Sequence, residues 1–144
     1  REGEREKGRE AGMSEMDALR EGPVRYLGYA NEVGEAFRPL VPRWTVNASY
    51  GLAGAYVCSD AAWRARVTSR QPAVEAADSL LWQGLASIAI PGIVINRLVW
   101  AVGRIPALRS PIPTLMGLSA IPVIIRPIDA AVDFVMDETV RKLW

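Results

Sequence analysis

Polar and apolar positions recur along this chain with a helical period, and the charged positions are gathered into a few blocks. From Val24 to Leu40, Tyr26, Tyr29, Ala30, Val33, Phe37 and Leu40 recur at three- and four-residue steps and share one helical face. Asn31, Glu32, Glu35 and Arg38 fall on the other side. Pro23 suits an N-terminal turn, and Pro39 and Pro42 end the pattern near Arg38, because proline lacks an N–H and restricts the residue before it. The spacing predicts an amphipathic helix of about four turns, lying along a membrane interface or on a core.

Two uncharged or weakly charged stretches follow, each framed by tryptophan: Trp44 to Trp63 and Trp82 to Trp100. At about 1.5 Å per helical residue each frame is roughly 27 to 29 Å long, close to the roughly 30 Å hydrocarbon thickness of a bilayer. Tryptophan favours the two water–lipid boundaries, since its ring is apolar while its N–H needs a polar partner. The first frame is rich in small residues, with Gly51 and Ala55 one turn apart as in close helix packing in lipid, and Asp60 four residues before Arg64 as an expected pair. Arg64 to Asp78 reads as a polar loop. In the second frame Pro91 frees the carbonyl of Ser87 and kinks the helix, with Ser87 and Asn96 as expected partners for the break. Arg97, three residues before Trp100, is placed to snorkel to the boundary.

A third apolar stretch, Pro111 to Ile125, is interrupted by Pro113, Gly117 and Pro122, and reads as a tilted span, a re-entrant segment or a helix packed on the other two. After Arg126 a terminal amphipathic helix is predicted, with Pro127 near its first position and Asp129 in its opening turn. Arg141 and Lys142 fall in its last turn, the polarity a helix dipole favours. Ile128, Ala131, Val132, Val135 and Leu143 form its predicted apolar face, and Asp137 and Arg141 an i, i+4 pair. The predicted fold class is therefore all-α: a small multi-pass membrane helical bundle with two spans, a third shorter proline-broken segment, and amphipathic helices at both ends. Residues 1–22 are expected to be a charged, solvated tail, and residues 23–144 a single membrane helical domain.

Composition removes several functional classes. Net charge is +1 and the isoelectric point about 8.1, so there is no basic field for nucleic acid. Histidine is absent and Cys58 is the one cysteine, which leaves no histidine acid–base chemistry, no usual zinc set and no internal disulfide. No phosphate-binding glycine loop and no nucleophile–base pair stands out, so no catalytic, cofactor or metal site is expected. The candidate structural and interaction residues are Tyr26, Tyr29, Asn31, Glu32, Glu35, Arg38, Pro91, Asn96, Arg97, Arg126 and Asp129. Among them Glu32 or Glu35 is expected to pair with Arg97 or Arg126, tying the first helix to the spans. With three spans, six basic side chains fall on either side, so the positive-inside rule prefers neither orientation.

Four blocks carry a family resemblance: VRYLGYANEVGEAFR (Val24 to Arg38), SYGLAGAYVCSDA (Ser49 to Ala61), WQGLASIAIPGIVINR (Trp82 to Arg97) and IPVIIRPIDAAVDFVMDETVRKL (Ile121 to Leu143). In order and over most of the chain after residue 23, they resemble the mitochondrial fission process protein 1 family, also called the mitochondrial 18 kDa protein. The resemblance implies a multi-pass protein of the inner mitochondrial membrane, associated with mitochondrial division and network shape, with no enzymatic activity and no cofactor. It implies membrane lipids and other inner-membrane proteins as partners. Two features depart from the pattern: the Arg64 to Asp78 loop is short, and Arg126 stands where histidine is expected. An accessory subunit of a respiratory or ATP synthase assembly, and a small carrier or channel using Pro91, Asn96 and Arg97, are the competing expectations.

Overall fold

The structure, a computed structural model, describes residues 23–67 and 71–143, and the expected N-terminal tail lies outside them. A short 3-10 turn, Pro23–Tyr29, leads into α1 (Ala30–Phe37), followed by α2 (Arg43–Val67). Next come α3 (Pro72–Gln83), a π-helical segment (Gly84–Ala89) and α4 (Ile90–Gly103), which together form one unbroken helix of 32 residues. The last long helix is α5 (Ile112–Glu138), closed by a 3-10 turn, Val140–Lys142. No strand occurs among the described residues.

The π-helical turn has a local cause. Pro91 offers no N–H to the turn before it, and its ring crowds that turn, so the helix widens there instead of stopping. Ile90 N–H accordingly bonds to Leu85 O, five residues back. The same tolerance corrects the reading of the third stretch. Pro122 and Pro127 both lie inside α5, on its exposed side, and the helix runs through them into the terminal segment. Pro113 alone sits at the start, where a missing N–H costs nothing.

The three long helices are antiparallel neighbours. Tyr50 lies beside Gly92 and Asp60 beside Gln83, so α2 and the Pro72–Gly103 helix run in opposite directions. Gly117 against Val99, and Asp78 against Arg141, give α5 the opposite sense to that helix. Trp44 and Trp100 thereby come to one end of the bundle, and Trp63 and Trp82 to the other. Arg104 stacks over the Trp100 ring at 4.2 Å.

Burial inverts the usual rule for a protein in water. The core includes Asn31, Glu32, Glu35, Asp60, Ser79, Gln83 and Thr114 beside Ala36, Val46, Ile95, Val99 and Met136. Trp44, Ile93, Val123 and Phe134 are all more than 60% exposed. The first helix shows the inversion most plainly. Its predicted apolar face is turned outward at Tyr26, Val33 and Leu40, while Asn31, Glu32, Glu35 and Ala36 are buried. Periodicity located the two faces correctly; the partners described below decide which one points in.

Two helices are long and apolar enough to cross a membrane, Pro72–Gly103 and Ile112–Lys142, with only 33% and 11% of their apolar windows buried. The second Trp-framed stretch lies within one of them. The first frame forms α2, whose 25 residues span about 37 Å, but its polar positions keep it out of that pair. The Gly51/Ala55 pair is also corrected: both residues are exposed, and a Cβ on Gly51 would meet nothing within 4 Å. Close helix approach instead uses Gly34, against Ser49 and Val46, and Gly117, where a Cβ would lie 2.8 Å from Val99 and 3.0 Å from Ala36.

Candidate functional site

The bundle interior holds a polar spine, and its centre is Glu35. Arg38, one turn on, grips both carboxylate oxygens, Nε to Oε2 and Nη2 to Oε1, each at 2.6 Å. Tyr50 of α2 donates to Oε1 at 2.9 Å, and Asn96 of α4 donates to Oε2 at 2.8 Å. Burial alone would raise the Glu35 carboxyl, but the hydrogen bonds from Arg38, Asn96 and Tyr50 outweigh it and hold the group below the usual carboxylate range. A buried ion pair adds stability only when its remaining lone pairs are satisfied, and here four donors satisfy them.

One turn back, Asn31 donates through Nδ2 to Ile88 O at 3.2 Å, at the π-helical turn ahead of Pro91. The break in the second frame is thus served by the first helix. Asn96 is committed to Glu35 instead. Glu32 is fully buried beside them, and neither of its oxygens has a hydrogen-bond partner among the described residues. Burial pushes its carboxyl up to about 7, reinforced by the Asp129 carboxylate.

A second polar network closes the Trp63/Trp82 end. Asp60 Oδ2 accepts from Arg64 Nε at 2.9 Å, from the Gln83 amide, and from Ser79 Oγ at 3.5 Å. Arg141 binds Asp78 through Nε and Nη2 at 2.8 and 3.0 Å, and Asp133 and Asp137 through Nη1 at 3.1 and 2.7 Å. Several of these residues line a half-open cavity of about 390 Å³, together with Tyr29, Tyr56, Trp82 and Asp129. Trp82 Nε1 is shielded from solvent and has no acceptor among the described residues.

Of the sequence-predicted residues, the structure brings together Asn31, Glu35, Arg38 and Asn96, with Glu32 and Pro91 beside them. Tyr29 and Asp129 meet at the cavity. Tyr26 is 74% exposed and stands apart. Arg97 and Arg126 are exposed and form no ion pair among the described residues, so the expected pairing of Glu32 or Glu35 with them does not occur. Arg38, three residues away, reaches Glu35 first. Arg97 is exposed while Pro91 is buried and Asn96 is bonded to Glu35. The expected Asp60–Arg64 and Asp137–Arg141 pairs are both present.

Tyr50, Ser79 and Gln83 were not foreseen. The Asp78–Arg141 link, spanning 63 positions, has no local signal at all. Among the described residues no group of three acidic, cysteine or histidine side chains converges in a way that could hold a metal ion.

Comparison with known proteins gives a consistent picture. Residues 11–79 match the family model described as Mitochondrial 18 kDa protein. The chain is 46% identical to human mitochondrial fission process protein 1 over 149 aligned positions, covering 91% of this chain and 90% of the relative. It is 44% identical to the zebrafish (Danio rerio) protein of that name, with 90% and 89% covered, and 40% identical to that of Caenorhabditis elegans, with 89% of each covered. No solved structure matches.

Proposed function

The chain belongs to the mitochondrial 18 kDa protein family, and from that premise we propose that it is an integral protein of the inner mitochondrial membrane that acts in mitochondrial fission without catalysing a reaction. The observation that carries the membrane half is the inverted burial. Glu32, Glu35 and Asn31 are enclosed while Trp44, Ile93, Val123 and Phe134 face out. In water such a surface is an association liability, whereas against lipid tails it is the favoured arrangement. The fission half rests on the relatives' printed name and on coverage of nine-tenths of the human protein.

The structure also supplies a mechanical basis. Lipid provides no hydrophobic drive between helices, so they are held by close packing and interhelical hydrogen bonds. Gly34 and Gly117 supply the first, and the Glu35 and Asp60 networks the second. The product is a bundle of three long helices with a short fourth packed against them, which we read as suited to shaping or marking a membrane rather than to turnover.

The test uses cells whose own relative has been deleted. Restored division by the full chain, with the protein kept in the membrane pellet after alkaline carbonate extraction, is the expected result. Extraction into the supernatant removes the integral placement, and an unchanged network removes the fission role.

One observation favours a second reading, an accessory subunit of a larger inner-membrane assembly. Gly51 and Gly54 leave part of α2 open, with nothing within 4 Å of an added Cβ. Co-migration with a stoichiometric respiratory or ATP synthase complex on native gels would favour it over the first.

A further inference from the structure

Asn31 and Glu32 enclose three oxygen acceptors to which nothing donates, and we propose that they form a proton-binding site, in which Glu32 holds the proton and exchanges it through the cavity at the Trp63/Trp82 end. Both residues are fully buried, and Asn31 Oδ1, Glu32 Oε1 and Glu32 Oε2 all lack a hydrogen-bond partner among the described residues. Asn31 gives its amide nitrogen to Ile88 O, across the bundle. A carboxylate enclosed without a donor is the costly form of this pair, whereas one proton removes the charge and turns an acceptor into a donor. Burial acts in the same sense, carrying the Glu32 carboxyl up to about 7. A divalent metal ion is poorly served, since it takes about six oxygens while Tyr50 and Asn96 nearby are bonded to Glu35. No group of three acids among the described residues converges to help.

The elements packed on the first helix leave that balance in place. From α2 comes Tyr50, a hydroxyl donating to Glu35, and from α5 comes Asp129, a second acid that raises Glu32 further, while Arg126 of the same helix is exposed. α4 brings the uncharged Asn96, its Arg97 being exposed, and the Pro23–Tyr29 turn brings Tyr29. On the Glu32 stretch itself the cation is Arg38, which Glu35 holds by both oxygens. None of these groups is bonded to Glu32. The cavity supplies the way in: Gly28 and Tyr29, within one turn of Glu32, line it together with Asp129 and with Ser87, the neighbour of the Ile88 carbonyl that Asn31 meets. Toward the other end the site is closed by the Glu35 network and by buried Ala36, Ile95 and Val99. The site owes nothing to the membrane placement proposed above, and its test is made in detergent.

Infrared spectroscopy of the full chain in detergent reads the proton directly, because a protonated carboxyl has a carbonyl stretch that a carboxylate lacks. Above about pH 6 ordinary carboxyls are ionised, so a single such band is expected there, absent from Glu32→Gln and disappearing with a midpoint near 7 as pH rises. Asp129→Asn should move the midpoint down by a few tenths of a pH unit, and Arg97→Gln should leave it in place. In heavy water the band should take its isotope shift well before the slowest backbone amides exchange, since an open cavity needs no unfolding. A missing band, or one that persists in Glu32→Gln, overturns the proposal. A midpoint that falls on adding sodium or calcium ions assigns the site to a metal ion and overturns it as well. An isotope shift no faster than the slowest amides overturns the cavity route. Should Glu32→Gln misfold, heavy-carbon labelling of the glutamate carboxyls in the unaltered chain decides: a band that moves upholds the site, and one that stays overturns it.

Discussion

Asn96 and Glu35, 61 positions apart, share a hydrogen bond of 2.8 Å that fixes the first helix against the middle of the bundle. Its direction explains the inverted first helix. Once a carboxylate receives Tyr50 and Asn96 from two other helices, turning the polar face outward would strand both donors, and only Arg38, one turn along the same stretch, would follow the acid. In water the apolar face would compete for the interior. Against lipid that competition disappears, because the face is as well solvated outside as inside.

Removing the acceptor should therefore be severe. Glu35→Ala leaves the Arg38 charge unpaired and Asn96 and Tyr50 without their acceptor, and breaking one side of a buried pair costs roughly 3 to 5 kcal/mol. Because Arg38 is partly exposed, the lower end of that range is expected, read as a fall in thermal midpoint in detergent. Arg97→Glu should leave the midpoint near that of the unaltered chain, since Arg97 is exposed and forms no ion pair among the described residues. A comparable loss in Arg97→Glu would refute this arrangement.

The helix crossing at Gly117 gives a steric prediction. A Cβ there would lie 3.2 Å from the Ala36 backbone as well as against Val99, and backbone cannot swing aside as a side chain can. Gly117→Val should destabilise by at least about 1 to 3 kcal/mol, the usual cost of overpacking. Gly51→Ala, in open space within a helix, should be neutral or stabilising by up to about 1 kcal/mol. Equal effects at the two glycines would show that the crossing is not as close as described.

How far the chain could be read without its structure depends on the range of the interaction. The helical character of the Trp-framed stretches and i, i+4 pairs such as Asp60–Arg64 were legible, because all of their determinants lie within one or two turns, whereas the loop expected from Arg64 to Asp78 is cut short by α2 reaching Val67 and α3 starting at Pro72. Asn31, Glu35, Arg38 and Asn96 are all among the eleven candidates the sequence offers, but Glu35 was expected to pair with Arg97 or Arg126 and Asn96 with the proline break: nothing local tells a buried carboxylate to prefer Arg38 over Arg97. The continuity of α5 through Pro122 and Pro127 was missed for a related reason. Proline is a breaker where water can cap the freed carbonyls, and in lipid stopping the helix costs more than bending it. The cavity was illegible, since its walls come from the Pro23–Tyr29 turn, α2, the start of the Pro72–Gly103 helix and the end of α5, brought together by links as distant in sequence as Asp78–Arg141.

Cys58 offers a direct probe of α2. It is exposed, and it lies level with the uncharged part of the neighbouring helix, since Tyr50 faces Gly92 and Asp60 faces Gln83. In liposomes a membrane-impermeant maleimide should fail to label it from either side, and labelling should appear once the chain is in detergent with a small thiol reagent. Rapid labelling in intact liposomes would put this helix in water.

Glu32 should make stability depend on pH in an unusual direction. Its carboxyl titrates near 7 in the folded chain against 4.5 when unfolded, so between those values the folded state keeps a proton that the unfolded state has lost. Stability from this group is complete below pH 4.5, declines as pH rises toward 7, and is gone above it. At about 1.4 kcal/mol per pH unit the interval amounts to roughly 3 kcal/mol, an upper figure for an enclosed group. The charged groups facing it do not reverse the sign: Asp129 from α5 and Glu35 on its own helix are both acidic, and Tyr50 from α2 adds no cation. Glu32→Gln stays neutral throughout, so it should melt higher than the unaltered chain at pH 8 and show a flatter profile between pH 5 and 7. A variant that melts lower at pH 8, with an unchanged slope, would mean that Glu32 is held as a carboxylate by a partner of its own.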